Sequence, residues 1–101
     1  MSELSRFQIE AARWANATFG QARPPHGAIA HLGKEVNELA DSPYDRMEYA
    51  DCLMLLLDAA SNAGISADVL LDSAWEKLAI NRDKRKWGEE QPDGTIEHIR
   101  D

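Results

Sequence analysis

Two pairs of acidic residues on consecutive predicted helices constrain this chain more than any other feature of its sequence. Glu35 and Glu38 lie three residues apart, so they share one face of a helix. Glu48 and Asp51 have the same spacing on the next helix. The turn near residues 42–43 is short, so we expect the two helices to fold back antiparallel and the four carboxylates to converge.

Such a cluster needs a counter-charge. Like charges that are close together in a poorly solvated place repel strongly, and a hard divalent cation with oxygen ligands relieves the repulsion. The sequence therefore predicts Mg²⁺ or Mn²⁺ at this cluster. The alternative is two solvated helix faces with an incidental pair between Lys34 and Glu38. Glu48 and Asp51 favour the metal site, because they directly precede the apolar run at residues 52–57, which should be buried.

The composition excludes several other classes of protein. With 101 residues, 44% of them hydrophobic, the chain is expected to form one domain over residues 1–101, with a tail from about residue 88. The net charge of −7 argues against nucleic-acid binding. Cys52 is the only cysteine, so neither a disulfide nor a thiolate metal cluster is expected. Neither a signal peptide nor a membrane-spanning run is apparent, so we expect a cytoplasmic protein without membrane contact.

Capping residues and helix breakers divide the chain into four predicted helices. Ser2 or Ser5 caps the first helix, and Gly20 ends it. The prolines within residues 23–27 separate it from the second helix. The predicted core stripe of the second helix consists of Ile29, Leu32, Val36 and Leu39.

The third helix is predicted to begin with Ser42 as its N-cap and Pro43 at its first position, and to end near Gly64. Ser66 caps the fourth helix. No segment alternates with a period of two between turn residues, so no strand is predicted. The expected fold class is all-α, resembling a four-helix bundle.

A stripe of polar and basic residues follows on the fourth helix. Lys77, Asn81 and either Lys84 or Arg85 recur at helical spacing and therefore share one face. One interpretation is that these cations only oppose the helix dipole. Asn81 favours phosphate binding, because its side chain can hold an oxygen by hydrogen bonding.

Two further residues extend the acidic face, and their roles stay open. His31 lies one turn before Glu35, although a lone histidine is more often structural than a ligand. Asp58 lies two turns after Asp51, either as a partner of the metal ligands or as a solvated aspartate near a helix end.

In its two acidic pairs and its basic stripe, the chain resembles the all-α nucleoside triphosphate pyrophosphohydrolases of the MazG-like superfamily. Their E-x-x-E and E-x-x-D pattern is matched at residues 35–38 and 48–51, and their K-x-x-x-N and basic tail at residues 77–85. Residues 31–35, 48–52 and 85–88 are similar to the small MazZ-type dGTP and dATP pyrophosphohydrolases of phages and bacteria. The compact basic tail at residues 82–86 departs from the pattern and leaves open which cation touches phosphate.

The resemblance implies a metal-dependent enzyme that converts a deoxypurine triphosphate to the monophosphate and pyrophosphate, in nucleotide-pool control or in phage synthesis of modified DNA. Two or more Mg²⁺ or Mn²⁺ ions would be held by Glu35, Glu38, Glu48 and Asp51, with Glu35 or Glu38 as the general base. Lys77, Asn81 and Arg85 would bind phosphate. A homo-oligomer, dimer or tetramer, is also implied, in the host-cell cytoplasm if the protein is phage-encoded.

The base-binding residues and the rival functions are less constrained by the sequence. Trp14 and Trp87 are the main candidates for stacking on a purine, with Phe7 and Tyr49 behind them. A di-iron carboxylate bundle is excluded, because no glutamate is followed by histidine three residues later. The alternative that stays open is a non-catalytic helical interaction module.

Overall fold

A computed structural model describes residues 1–100 of the chain. Within this range there are four α-helices and one short antiparallel pair of strands, which lie in the order α1 (Glu3–Phe19), α2 (Pro25–Asp41), α3 (Arg46–Asn62), α4 (Ala67–Asp83), β1 (Lys86–Trp87) and β2 (His98–Ile99). The predicted all-α class is confirmed. The prediction that the chain contains no strand is wrong at β1 and β2.

The chain divides into two compact units, residues 1–70 and the residues from Leu71 onward, which are described separately. Helix α4 begins in the first unit and continues into the second. The single domain expected from the chain length stays a prediction. No single helix among the described residues is long and apolar enough to cross a membrane, and only the bent pair of α3 and α4 meets that test together.

Most of the predicted helix ends are confirmed by local hydrogen bonds. The Ser2 hydroxyl accepts from the backbone N–H of Ser5 at 3.0 Å, and Gly20, with a φ of 103°, ends α1. Pro25 occupies the first turn of α2, where its missing N–H is no loss. The Ser66 hydroxyl caps α4 by accepting from the N–H of Val69 at 3.2 Å.

The predicted start of α3 is wrong by three residues. Ser42 closes the end of α2, where its N–H donates to the carbonyls of Glu38 and Leu39, both at 3.1 Å. The N-cap of α3 is Asp45, whose carboxylate accepts from the N–H of Met47 at 2.9 Å. Aspartate is as good an N-cap as serine, and the Ser42 amide is already bonded to α2, so the cap falls on the later residue.

A buried glutamine joins three helices in the first unit. The Gln8 side-chain amide on α1 donates to the carbonyls of Leu57 and Ile65, at 3.2 and 3.1 Å. Its carbonyl oxygen accepts from the N–H of Ala67 at 2.7 Å, at the first residue of α4. The side chain is therefore fully hydrogen-bonded, as a buried amide must be, and it fixes α1 against the end of α3 and the start of α4.

The apolar core of the described residues is small. It consists of Ala15, Ala28, Leu57, Ala59, Ala60 and Ala67. Leu57 is the largest fully buried side chain, with 1% exposure. The predicted core stripe of α2 is wrong at two positions: Leu32 and Leu39 are half-buried, whereas Ile29 and Val36 are exposed. The reason is that α2 faces α3 on one side only, through the side that carries Leu32 and Leu39.

The apolar run of α3 at residues 52–57 was predicted to be buried, but it is buried only in part: Leu57 is fully buried, and Cys52 and Leu55 are half-buried. Leu53, Met54 and Leu56 are exposed, with 44% of Leu53 accessible to solvent. A helix that is apolar nearly all round needs neighbours on every side, and α2 and α1 cover only part of α3.

The second unit contains the rest of α4 and the two-stranded hairpin. Lys86 pairs with Ile99, and Trp87 pairs with His98. The indole N–H of Trp87 also donates to the Asn81 carbonyl on α4 at 2.8 Å. The tail predicted from about residue 88 therefore returns to the helix end at β2, although residues 89–97 are without regular strand structure.

Candidate functional site

Three glutamates from two helices meet at one place. Carboxylate oxygens of Glu35, Glu38 and Glu48 all lie within 4.8 Å of one another. Glu35 and Glu38 are on α2, and Glu48 is in the first turn of α3, so the short turn at residues 42–45 brings them together. Asp51 is outside this group of three, but its charge acts on both Glu35 and Glu48. The predicted convergence is thus observed for three carboxylates, with the fourth alongside.

Two oxygen atoms of this acidic cluster are buried without a hydrogen-bond partner among the described residues. They are Oε2 of Glu35 and Oε2 of Glu48. The other oxygen of Glu35 lies 3.2 Å from Nε2 of His31, which is one turn earlier on α2. Burying a carboxylate oxygen without a partner is costly, so both atoms are suited to binding a cation.

The acidic cluster also raises the pKa values of its own groups. The adjoining Glu38 carboxylate, close enough to share a proton, is the main cause of the raised pKa of Glu35. Burial is the main cause of the raised pKa of Glu48, followed by the charges of Glu38 and Asp51. The thiol of Cys52 has a raised pKa because of burial and then because of the surrounding carboxylates. A bound cation acts in the opposite direction on all of these groups.

A pocket of about 260 Å³ opens beside the acidic cluster, within the first unit. It is lined by Ala11, Trp14, Ala15 and Phe19 from α1, His31 and Glu35 from α2, and Asp51, Met54, Leu55 and Asp58 from α3. The rings of Trp14 and Phe19 meet edge to face, with their centroids 5.4 Å apart. Of the aromatic residues predicted to stack on a base, Trp14 lines this pocket, whereas Phe7 and Tyr49 do not.

Asp58 at the pocket is held by an ion pair that sequence reasoning missed. Two nitrogens of the Arg23 guanidinium each donate to a different oxygen of Asp58, both at 3.1 Å. Arg23 also donates to the Gly20 carbonyl at 2.9 Å. The Asp58 side chain is only 15% exposed, so it is not a solvated aspartate at a helix end. The two partners are 35 residues apart, and no spacing rule connects them.

The predicted phosphate-binding residues lie in the second unit. Arg85 donates to the Asn81 side-chain oxygen at 3.0 Å, and Lys77, one turn earlier on α4, is exposed. Trp87 belongs to the same unit, where its ring meets the ring of His98 at a centroid distance of 6.0 Å.

Sequence reasoning missed His98, a further residue among these cations. Burial lowers its pKa most, and the charges of Arg85, Arg100 and Lys77 lower it further. No local pattern identifies this residue, because the strand that carries it was not predicted.

The helices and the acidic cluster define a class of protein, the MazG-like all-α pyrophosphohydrolases. The fold is similar to that of a solved structure described as the cyanophage S-2L MazG-like pyrophosphohydrolase bound to dGDP and three catalytic Mn²⁺ ions per active site. The TM-score is 0.80 at 35% identity, and the match covers 99% of this chain and 100% of that one.

Residues 7–101 match the family model described as dATP/dGTP pyrophosphohydrolase, and the chain belongs to this family. It is 36% identical over 98 residues to the dATP/dGTP diphosphohydrolase of cyanophage S-2L, a match that covers 95% of this chain and 88% of the relative. It is also 38% identical over 99 residues to the Eaa protein of Salmonella phage P22. That match covers 98% of this chain but only 31% of the P22 protein. The expected family is confirmed.

Proposed function

We propose that this chain is a metal-dependent pyrophosphohydrolase that converts dATP and dGTP to the monophosphates and pyrophosphate. The observation that carries the proposal is the pair of buried, unpartnered oxygens of Glu35 and Glu48 in the acidic cluster, beside a pocket with aromatic walls. The related cyanophage structure, which is bound to dGDP and Mn²⁺, supports the same assignment.

The residues of the acidic cluster fit divalent metal ions of the magnesium and manganese type. Every candidate ligand is a carboxylate oxygen, which is the donor that these hard cations prefer. Glu35, Glu38, Glu48 and Asp51 would hold two or more ions. When bound, the ions neutralise charge on phosphate oxygens and lower the pKa of an attacking water.

The remaining side chains of the first unit position the reactants. Nε2 of His31 lies 3.2 Å from one oxygen of Glu35, where it would orient that carboxylate. Either Glu35 or Glu38 takes the proton from the attacking water. The Trp14 ring provides a flat apolar surface for the base. Trp87, in the second unit, is the other candidate for this role.

The phosphate chain is assigned to Lys77, Asn81 and Arg85. The bond from Arg85, two residues after the end of α4, to the side-chain oxygen of Asn81 on α4 sets both groups in a fixed arrangement. Cationic donors that are already in place stabilise the charge that develops on the leaving pyrophosphate.

The decisive experiment is a panel of ribo- and deoxyribonucleoside triphosphates with Mn²⁺, scored for monophosphate and pyrophosphate. We expect turnover of dATP and dGTP, loss of turnover with a chelator, and a melting temperature that rises with Mn²⁺. Glu38→Gln should abolish turnover and keep the fold, whereas Glu10→Gln, at an exposed acid of α1, should change neither. Absence of turnover together with an unchanged melting temperature in Mn²⁺ would favour a non-catalytic interaction module.

We further propose that the chain forms a homo-oligomer, a dimer or a tetramer. The support is the exposed apolar surface on α2 and α3, where Ile29 and Leu53 are 56% and 44% accessible. Burying such side chains is favourable by about 25 cal/mol per Å² of apolar surface, and the alanine-rich core of one chain leaves this gain unused. Light scattering at micromolar concentration should give a multiple of 11.3 kDa, and a monomeric mass would contradict the proposal.

A further inference from the structure

We propose that Asp58, held in place by Arg23, is the group that recognises the amino substituents of the purine base. This inference rests on the proposed function, because it assigns the part of the pocket that the chemistry of phosphate cleavage does not use. Asp58 would act as a specificity-determining residue, and Arg23 as a positioning residue that acts through it.

The pocket has four ionisable side chains, and three of them belong to its metal end. Glu35 is part of the acidic cluster, His31 lies 3.2 Å from Glu35, and Asp51 lies beside the cluster. Asp58 is the fourth, and its contacts are with Arg23 and not with the cluster. It is therefore the polar group of this pocket that is available to a base.

The distance along α3 matches the shape of a nucleotide. Asp58 follows Asp51 by seven residues, which is two helical turns, or about 10 Å along the axis at the rise of an α-helix. This length is comparable with that of a nucleoside. A substrate with its phosphates at the Asp51 end would place its base at the Asp58 end, against the aromatic wall formed by Trp14 and Phe19.

The state of the Asp58 carboxylate fits the recognition of N–H donors. An ionised carboxylate is acceptor-only and has about four lone-pair positions on its two oxygens. Arg23 donates to each oxygen once, so each keeps a position free. The guanidinium also balances the charge of a side chain that is mostly buried, and its two parallel bonds prevent the carboxylate from turning.

Both expected bases carry suitable donors. Guanine presents its 2-amino group and adenine presents its 6-amino group, and either can donate to the one position that an Asp58 oxygen keeps free beside Arg23. Thymine presents one N–H flanked by two carbonyl oxygens, which a carboxylate repels. Cytosine also carries an amino group, but its single ring is shorter than a purine and would fall short of Asp58.

The test compares substrates that differ by one amino group. Deoxyinosine triphosphate is dGTP without its 2-amino group. We expect the wild-type chain with Mn²⁺ to prefer dGTP by at least tenfold in kcat/KM, because deoxyinosine triphosphate cannot form the hydrogen bond from the 2-amino group to the charged carboxylate. Asp58→Asn keeps the shape but replaces one acceptor by a donor, and it should reduce this preference to less than threefold. The matched control Asp72→Asn, at an exposed position of α4, should keep the wild-type ratio.

The ratio of kcat/KM for dGTP to kcat/KM for deoxyinosine triphosphate shows whether Asp58 recognises the base or only stabilises the fold. If the ion pair only stabilises the fold, Asp58→Asn lowers kcat/KM for both substrates equally, and an unchanged ratio overturns the proposal. Equal rates for dGTP and deoxyinosine triphosphate in the wild-type chain overturn it without any variant. If Asp58→Asn does not fold, Arg23→Lys keeps the positive charge but loses the two parallel bonds, and it should reduce the ratio in the same direction.

Failure of the proposed function can be distinguished from failure of the proposal for Asp58. A wild-type chain that hydrolyses no nucleoside triphosphate contradicts the assigned reaction. The dGTP to deoxyinosine triphosphate ratio is then measured by equilibrium binding with Mn²⁺, where a tenfold preference supports the role of Asp58. Equal binding of the two nucleotides, or no binding of either, refutes it.

Discussion

Replacement of Gln8 by methionine should destabilise the chain by about 2–4 kcal/mol, because each of its three hydrogen bonds contributes about 0.5–1.5 kcal/mol net. Methionine has nearly the same length, so the substitution removes the amide without opening a large cavity. The N–H of Ala67 loses its acceptor at 2.7 Å, and the carbonyl of Ile65 loses its donor at 3.1 Å. The Leu57 carbonyl suffers less, because it lies inside α3 and keeps its place in the helical ladder.

The measurement is urea unfolding followed by circular dichroism, at one fixed chain concentration because association would add its own free energy. Hydrogen exchange of the Ala67 amide gives a local readout, and we expect its protection to fall in the variant. The matched control is Gln21→Met, at an exposed glutamine of the loop after α1. A loss in Gln8→Met no larger than in this control would refute the reasoning that the buried amide holds the three helices together.

Three further predictions concern the acidic cluster, the basic stripe and the hairpin. Glu48→Gln should raise the melting temperature without metal, because it removes a carboxylate that its neighbours repel. It should also reduce the increase in melting temperature that Mn²⁺ causes, and an unchanged increase would exclude Glu48 as a ligand. Lys77→Ala should lower kcat/KM at least tenfold, or about 1.4 kcal/mol of transition-state stabilisation. Unchanged kinetics with lower stability would instead assign Lys77 to the helix dipole. The pKa of His98 is lowered, so the unfolded chain binds its proton more readily and stability should rise with pH up to the ordinary histidine range. Urea unfolding at several pH values in this range should show that stability depends less on pH in His98→Gln than in the wild-type chain. An equal pH dependence in the two proteins would contradict this role of His98.

The features that sequence predicted well depend on residues that are close together in the chain. The caps at Ser2 and Ser66 each form a bond to an amide three residues later, so local chemistry determines them. Glu35 and Glu38 share a face because of helical geometry, and the short turn brings Glu48 to them. These two helix caps and the cluster of three glutamates were therefore available from spacing alone.

The features that sequence did not predict depend on packing between distant segments. Arg23 and Asp58, like Gln8 and Ala67, are brought together only when the helices have packed. The exposure of Ile29 has the same origin, because helical spacing shows that a side chain belongs to an apolar stripe but not whether a neighbour covers it. At the start of α3, both Ser42 and Asp45 are acceptable N-caps. The cap is Asp45, because the Ser42 amide is already hydrogen-bonded to the end of α2.

The short turn between α2 and α3 also has a consequence for the order of folding. The whole acidic cluster lies inside one helical hairpin, from Pro25 to Asn62, and α2 packs along α3 within it. Closing a short loop costs little chain entropy, and local contacts form faster than distant ones. The carboxylates should therefore meet early, before the contacts of Gln8 join α1 and α4 to them. A hairpin that is so nearly self-contained can bring its carboxylates together with few contacts to the rest of the chain.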